Sequence, residues 1–306
     1  MDFTITPVAE YEKPKKITRW SEGFHHTLQT LDTWRESEIT GNGNNIRNFY
    51  KLEEFWQDPP ITAIDHDLVE RTLKRMREST GNSNSTLNRA VSTIKKVLHQ
   101  CARSGYLTHV PVIDKFKVEK GRGTPHWTKP QVERLIQLAR ERGDDPLAQA
   151  IETSAYSGLR KSELIRLKVW DVDFHKNVFL VGGTPESRTK GRNYRSVPIH
   201  PRLLPIMESR ASSARPMNSY IFDEFTDKWH LRTQWDHVRE RIQLEDRNVI
   251  KAHCWKSLRN SYITWALSQG TPLMTVKKWA GHSTVTVTEG YYDHNDAQDQ
   301  AEAARM

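Results

Sequence analysis

Residues 87–103 read Leu87-Asn88-Arg89-Ala90-Val91-Ser92-Thr93-Ile94-Lys95-Lys96-Val97-Leu98-His99-Gln100-Cys101-Ala102-Arg103. Leu87, Ala90, Val91, Ile94, Val97, Leu98 and Cys101 recur at three- and four-residue steps, the single apolar stripe of an amphipathic helix. Arg89, Lys96 and Arg103 fall on the other side, so one face packs while the other is suited to a polyanion. Gly105 ends the run. Upstream, Gly81-Asn82-Ser83-Asn84 is a turn. Before that turn, Thr62 to Asp65 reads as a capping box, followed by Val69, Leu73 and Met76 on one helical face. Ile46, Phe49, Tyr50 and Leu52 mark a helix from Asn45 to Trp56, stopped by Asp58-Pro59-Pro60. Residues 1 to about 30 are polar and carry no clear period. Residues 1–107 therefore read as an N-terminal helical bundle.

Downstream, residues 108–127 mix Pro, Gly and Lys and read as a basic linker. A second domain, 128–306, opens with Thr128 as helix cap, Pro130 in the first turn and Gln131 at the capping-box position. Helices are expected near 146–156, 161–167, 201–211, 226–243, 255–269, 272–280 and 284–292, with a polar tail helix beyond Asn295. Two strands, Asn177–Val181 and Tyr194–Pro198, flank a basic, Gly-containing loop and suggest a β-hairpin. The fold class is mainly α: a helical bundle, then a mostly helical domain with a small antiparallel β-sheet.

The chain has 306 residues, which fits about two domains of ordinary size, and a formal net charge of +8. Ten Trp, nine Tyr and nine Phe spread along its length argue against a disordered chain. No apolar run is long enough for a membrane span, and the start lacks the pattern of a signal peptide. Cys101 and Cys254 lie far apart and suggest no disulfide framework, so the expected setting is a reducing cytoplasm. The excess charge is local. Between Ser85 and Pro130 stand nine cations, Arg89, Lys95, Lys96, Arg103, Lys115, Lys117, Lys120, Arg122 and Lys129, against Asp114 and Glu119. A second basic block, Arg188, Lys190, Arg192, Arg195 and Arg202, has only Glu186 nearby. Solvated faces usually alternate in sign; these blocks do not, and nucleic acid becomes the leading partner.

No P-loop, His-Glu-x-x-His or Cys-x-x-Cys is present. Asp171-x-Asp173 reads as a turn more readily than as a magnesium site, and His253-Cys254 with His99 and Cys101 matches no common zinc spacing. What remains is a series of cations. Arg160 starts a helix in Gly158-Leu159-Arg160-Lys161-Ser162-Glu163-Leu164. Lys190 lies in the hairpin, followed by Arg195-Ser196-Val197-Pro198. Lys256 and Arg259 share a helical face, Gly281-His282 ends the next helix, and Tyr291-Tyr292 follows. Each has an ordinary structural reading taken alone; their order and spacing do not.

That order resembles the tyrosine recombinase family, the lambda-integrase and Xer-like site-specific recombinases, over residues 157–292. The resemblance implies Arg160 and Arg259 as the catalytic arginines, Glu163 as their supporting acid and Lys190 as the hairpin lysine. It also implies His282 as the catalytic histidine and Tyr291, nine residues on, as the nucleophile. The family often has His where Lys256 stands; Lys256 takes that place, while His253, one turn earlier, can share its face. The N-terminal bundle is then expected to be the family's core-binding (SAM-like) domain. Arg89, Lys95, Lys96, Arg103, Lys117, Lys120, Arg122, Arg192 and Arg195 are expected to contact DNA.

The implied reaction is strand cleavage and rejoining through a 3′-phosphotyrosyl link, with no cofactor and no metal, by a nucleoid-associated homo-tetramer holding two DNA sites. The residue types suit it: two guanidinium forks match a pentacoordinate phosphate, and a lysine can protonate a departing alkoxide. A type IB topoisomerase-like enzyme acting on one duplex, and a non-catalytic DNA-binding regulator on the same fold, are the alternatives.

Overall fold

The structure is a computed structural model that describes residues 11–39, 44–118, 125–182, 194–212, 214–225, 228–250, 252–282, 284–289 and 291. The chain divides into two compact units, Met1–Glu119 and Lys120–Met306. It is mainly α, with one small antiparallel sheet in the second unit.

The first unit contains α1 (Trp20–Thr30), α2 (Asp32–Ile39), α3 (Asn45–Trp56), α4 (His66–Thr80) and α5 (Asn84–Arg103). Helix α5 packs its whole apolar stripe, from Leu87 to Cys101, into the core. Burial pushes the Cys101 thiol up to about 12, so it behaves as an inert small hydrophobe. Helix α1 lies in the stretch before residue 30 where the sequence shows no clear period. Its Trp20, Phe24 and Leu28 are fully buried, and Phe24 packs on Phe49 with ring centroids 4.7 Å apart. The period is masked in sequence because His26, Thr27 and Gln29 are buried beside them. Gly23 permits the approach of α1: a Cβ there would lie 2.6 Å from Ile61 Cδ1 and 3.1 Å from Cys101 Sγ. Asp65, not Thr62, caps α4, its side chain accepting from the Leu68 N–H at 2.8 Å; Thr62 lies in a single 3₁₀ turn.

The expected linker is docked at both ends. Ile113 is buried in the first core, and the Asn88 side chain both accepts from and donates to the Phe116 backbone at 2.8 Å. At the other end, Trp127 is fully buried in the second core and its N–H donates to Ser261 Oγ at 2.7 Å. Its ring meets Trp235 edge-on, with centroids 5.8 Å apart. Trp127→Ala should therefore cost about 3–5 kcal/mol of stability, read as a lower urea midpoint for the second unit.

The second unit begins with α6 (Lys129–Glu141), held by the expected capping box between Thr128 and Gln131. Next come α7 (Asp145–Ser157), α8 (Lys161–Ile165), β1 (Val172–Asp173), β2 (Val178–Val181) and β3 (Arg195–Pro198). Strand β2 pairs antiparallel with β3, Val181 opposite Arg195, and β1 adds a third strand through Val172 opposite Phe179. That third strand was unexpected from sequence because two residues carry no readable alternation. The Asp171 and Asp173 carboxylates accept from the backbone N–H groups of Lys168 and Lys176, each at 3.0 Å, which is turn chemistry. Among the described residues, the helices that follow are α9 (Leu204–Arg210), α10 (Lys228–Glu245), α11 (Trp255–Ser268), α12 (Leu273–Ala280) and α13 (Val285–Glu289). The expected tail helix lies outside the described residues. Among the described residues no helix is long and apolar enough to cross a membrane.

Candidate active site

Helix α7 ends at Gly158 in the left-handed conformation, φ 65°. The chain reverses, buries Leu159, and delivers Arg160 as the residue that precedes α8. Glu163 reaches back from the first turn: its carboxylate accepts from the Arg160 N–H at 2.8 Å and from Arg160 Nη1 at 2.7 Å. The same carboxylate receives Arg195 from β3 in a two-pronged pair, Nη1 at 3.1 Å and Nη2 at 2.7 Å. Burial alone would raise the Glu163 carboxyl. The hydrogen bonds and charge of Arg195, with those of Arg160, outweigh it and hold the group down at about 2.

The C-terminal end of α12 organises the cations. Three consecutive carbonyls there each take one arginine: Trp279 O accepts from Arg195 Nε at 2.8 Å, Ala280 O from Arg259 Nη2, and Gly281 O from Arg160 Nη2 at 3.0 Å. The last carbonyls of a helix lack intrahelical partners and carry its negative dipole end, so this is where guanidinium groups are best held. Arg259 also donates to Gly158 O at 2.7 Å. It is buried, and burial followed by repulsion from Arg160 lowers it to about 10, still a cation at neutral pH.

Gly281 closes α12 at φ 66° and passes His282 back over the arginines. His282 Nδ1 pairs with Thr288 Oγ1 of α13 at 2.9 Å. Burial first, then Arg259, Arg160, Arg195 and Lys256, push its imidazole down to about 4, so the ring is neutral at physiological pH. The Tyr291 ring lies nearly parallel to it, with centroids 6.0 Å apart. Tyr291 is buried, and its hydroxyl donates to Asn260 Oδ1 at 3.0 Å. Burial raises the phenol above its ordinary range while Arg259 opposes the shift. Lys256 is exposed and lines a groove of about 530 Å³ with Arg160, Arg259, Arg232 and Arg239.

The structure thus brings Arg160, Glu163, Lys256, Arg259, His282 and Tyr291 together. Lys190, Arg192, Lys120 and Arg122 lie outside the described residues. Arg89, Lys96, Arg103 and Lys117 are exposed on the first unit. Lys95 is half-buried, donating to Ile113 O at 3.2 Å, which takes it out of the free basic face. Arg195, expected among the DNA contacts, is corrected: only 7% exposed, it spends its donors on Glu163 and Trp279. Strand register is the reason, since Arg195 shares its face with the fully buried Val197. His253 is engaged elsewhere. Its Nδ1 accepts from the Ile250 N–H at 3.2 Å, its Nε2 meets His126 O at 3.1 Å, and its ring packs on Trp127.

Asn260 escaped the sequence reading. It is buried, and its Nδ2 donates to Pro125 O at 2.8 Å while Oδ1 holds the Tyr291 hydroxyl. The available signal was a run of polar residues, Arg259-Asn260-Ser261, on a helix buried on several sides. Gly158 is a second constrained position. A Cβ there would sit 2.4 Å from the Tyr262 ring at a positive φ. Gly158→Ala should cost about 1–2 kcal/mol for the left-handed backbone and about 1–3 kcal/mol for the overpacking, seen as a lower urea midpoint with reduced cleavage.

Residues 126–298 match the phage integrase family. The chain belongs to this family of tyrosine recombinases. Among its relatives, the tyrosine recombinase XerC of Alcanivorax borkumensis is 29% identical over 297 residues, 91% of this chain and 93% of that protein. The tyrosine recombinase XerA of Pyrococcus horikoshii is 27% identical over 271 residues, 86% of this chain and 87% of that one. The fold is shared with the Tn1549 transposon integrase solved with a circular intermediate DNA, at TM-score 0.73 and 17% identity, covering 94% of this chain and 99% of the other. It is also shared with a lambda integrase dimer bound to a core site, at TM-score 0.67 and 14% identity, covering 94% and 83%. Within that family match, Arg160, Arg259 and His282 meet at the end of α12.

Proposed function

We propose that this chain is a site-specific DNA recombinase that cuts and rejoins strands through Tyr291. The carrying observation is the convergence of Arg160, Arg259 and His282 beside the Tyr291 phenol at the end of α12. Two fixed guanidinium groups form a receptor for the non-bridging oxygens of one phosphodiester, whose transfer builds up negative charge. Tyr291 Oη forms the bond to phosphorus, the bond from phosphorus to the 5′ oxygen breaks, and a 3′-phosphotyrosyl link results. The phenolic proton leaves by way of His282, whose neutral ring also hydrogen-bonds the phosphate; negative phosphate charge among the arginines opposes the lowering of that imidazole. Lys190 supplies the proton to the departing 5′ oxygen. Glu163, held ionised between two arginines, orients rather than accepts protons. Attack by the freed 5′-hydroxyl of another strand reverses the chemistry and regenerates the tyrosine, so no nucleotide cofactor is required.

Residues 1–107 serve as the core-binding domain, with Arg89, Lys96 and Arg103 of α5 facing a groove of the duplex. Four copies hold two DNA sites at the nucleoid, the segment after Tyr291 docking on a neighbouring copy. The test uses nicked duplexes taken from DNA flanking the gene. A covalent protein–DNA adduct should survive denaturation, and paired sites should yield exchanged strands with no loss to chelators. Relaxation of supercoils without exchange would indicate the topoisomerase-like reading, and DNA binding without an adduct the regulator.

A further inference from the structure

We propose that Arg195 is a positioning residue of this site, the buried brace that sets both supports of Arg160; this rests on the recombinase reading above. Arg160 is 40% exposed at its side chain and is held by two contacts, Glu163 and Gly281 O. Arg195 grips both supports from behind. Its two Nη atoms occupy both oxygens of Glu163, and its Nε holds Trp279 O, two residues before Gly281. Its guanidinium also packs on Gly281, where an added Cβ would meet Arg195 Cδ, Nε and Cζ at 3.0–3.2 Å. One side chain on β3 thereby ties α8 to the end of α12. With no more than 7% of either side chain exposed, neither Arg195 nor Glu163 reaches a substrate through this pair.

The chemistry favours positioning over mere stability. Burying an ion pair costs desolvation of both partners, and an apolar pair of similar volume often holds a fold as well. What an apolar pair cannot do is aim a carboxylate. Arginine is the residue for that task, because its planar fork spans two carboxylate oxygens while Nε points elsewhere; lysine is a single point donor. The charged groups facing Glu163 are Arg160 from just before α8, Arg195 from β3 and Arg259 from α11, with His282 facing the same arginines from beyond α12. Of these, Arg195 does most to hold the Glu163 carboxyl down against burial. Without it, the hold against burial weakens and the carboxyl moves up. As pH falls, Glu163 then protonates, drops its charged hold on Arg160, and cleavage declines.

The experiment compares wild type, Arg195→Lys, Arg195→Gln and the double variant Arg195→Gln/Glu163→Gln. Adduct formation on nicked duplex is timed at saturating DNA from pH 5.5 to 9, with DNA affinity and urea midpoints measured alongside. Arg195→Gln should slow cleavage on the order of 10²-fold, in line with the loss of an orienting shell, while DNA affinity stays within about threefold. It should also acquire a fall in rate toward acid pH that wild type lacks and that the double variant abolishes. Arg195→Lys should recover part of the rate, and it carries the test if the Gln variant does not fold. A wild-type rate and pH profile in the Arg195 variants would overturn the proposal. So would a rate loss with an unchanged profile that simply follows lost stability or affinity. Absence of an adduct with wild-type protein would instead count against the recombinase reading itself.

Discussion

Tyr291→Phe should leave no covalent protein–DNA adduct on nicked substrate, at any protein concentration or incubation time. The substitution removes only the oxygen that would join phosphorus; the ring stays against His282 in the small core formed by Ile263, Leu267, Val276 and Ala280. The remaining cost is an orphaned Asn260 Oδ1, about 1–3 kcal/mol for a buried acceptor left without its donor. Folding and DNA binding should therefore persist, which separates this variant from a merely unstable one. Tyr292→Phe is the paired control and should still form the adduct. An adduct that survives in Tyr291→Phe and vanishes in Tyr292→Phe would move the nucleophile to Tyr292 and overturn the assignment.

Arg259→Ala should slow adduct formation by about 10²–10³-fold, the range for removing one preorganised donor to a developing oxyanion. Two effects act together here. The phosphate loses a cation that is already desolvated and so acts at short range with little screening. Gly158 O and Ala280 O lose the donor that joins the end of α7 to the end of α12. Arg259→Lys retains a charge yet cannot span both carbonyls, so it should recover only a small part of the rate. Single-turnover cleavage at saturating DNA, beside a binding titration, distinguishes loss at the transition state from loss of affinity. A Lys variant with the wild-type rate would show that charge alone matters and that the bridging geometry does not.

Much of this molecule is legible in its residues because its strongest signals are local. Helix α5 follows from one uninterrupted apolar stripe, and α6 from Thr128 and Gln131 capping each other within one turn. Arg160 and Glu163 find each other for the same reason, being three residues apart at a helix start. Helix α1 was harder, since polar His26, Thr27 and Gln29 are buried beside its apolar residues. His26 in particular finds its partner far along the chain, its Nε2 pairing with Ser104 Oγ at 2.8 Å.

Arg195 and Asn260 mark the boundary between the two kinds of knowledge. By itself the chain determined which chemistry is available: two arginines, a histidine and a tyrosine in family order, on helices whose ends their own capping residues set. It also determined the family, since motif order is a property of the linear sequence. Only tertiary structure decided that Arg195 turns inward to hold Glu163 instead of outward toward DNA, because that depends on strand register against a core built from distant helices. Only tertiary structure placed Asn260 under the Tyr291 hydroxyl, and three arginines on three successive carbonyls of α12. Those contacts join groups up to 121 positions apart in the chain. Local propensity carries no information over such separations; burial does, by making each buried cation find a specific acceptor.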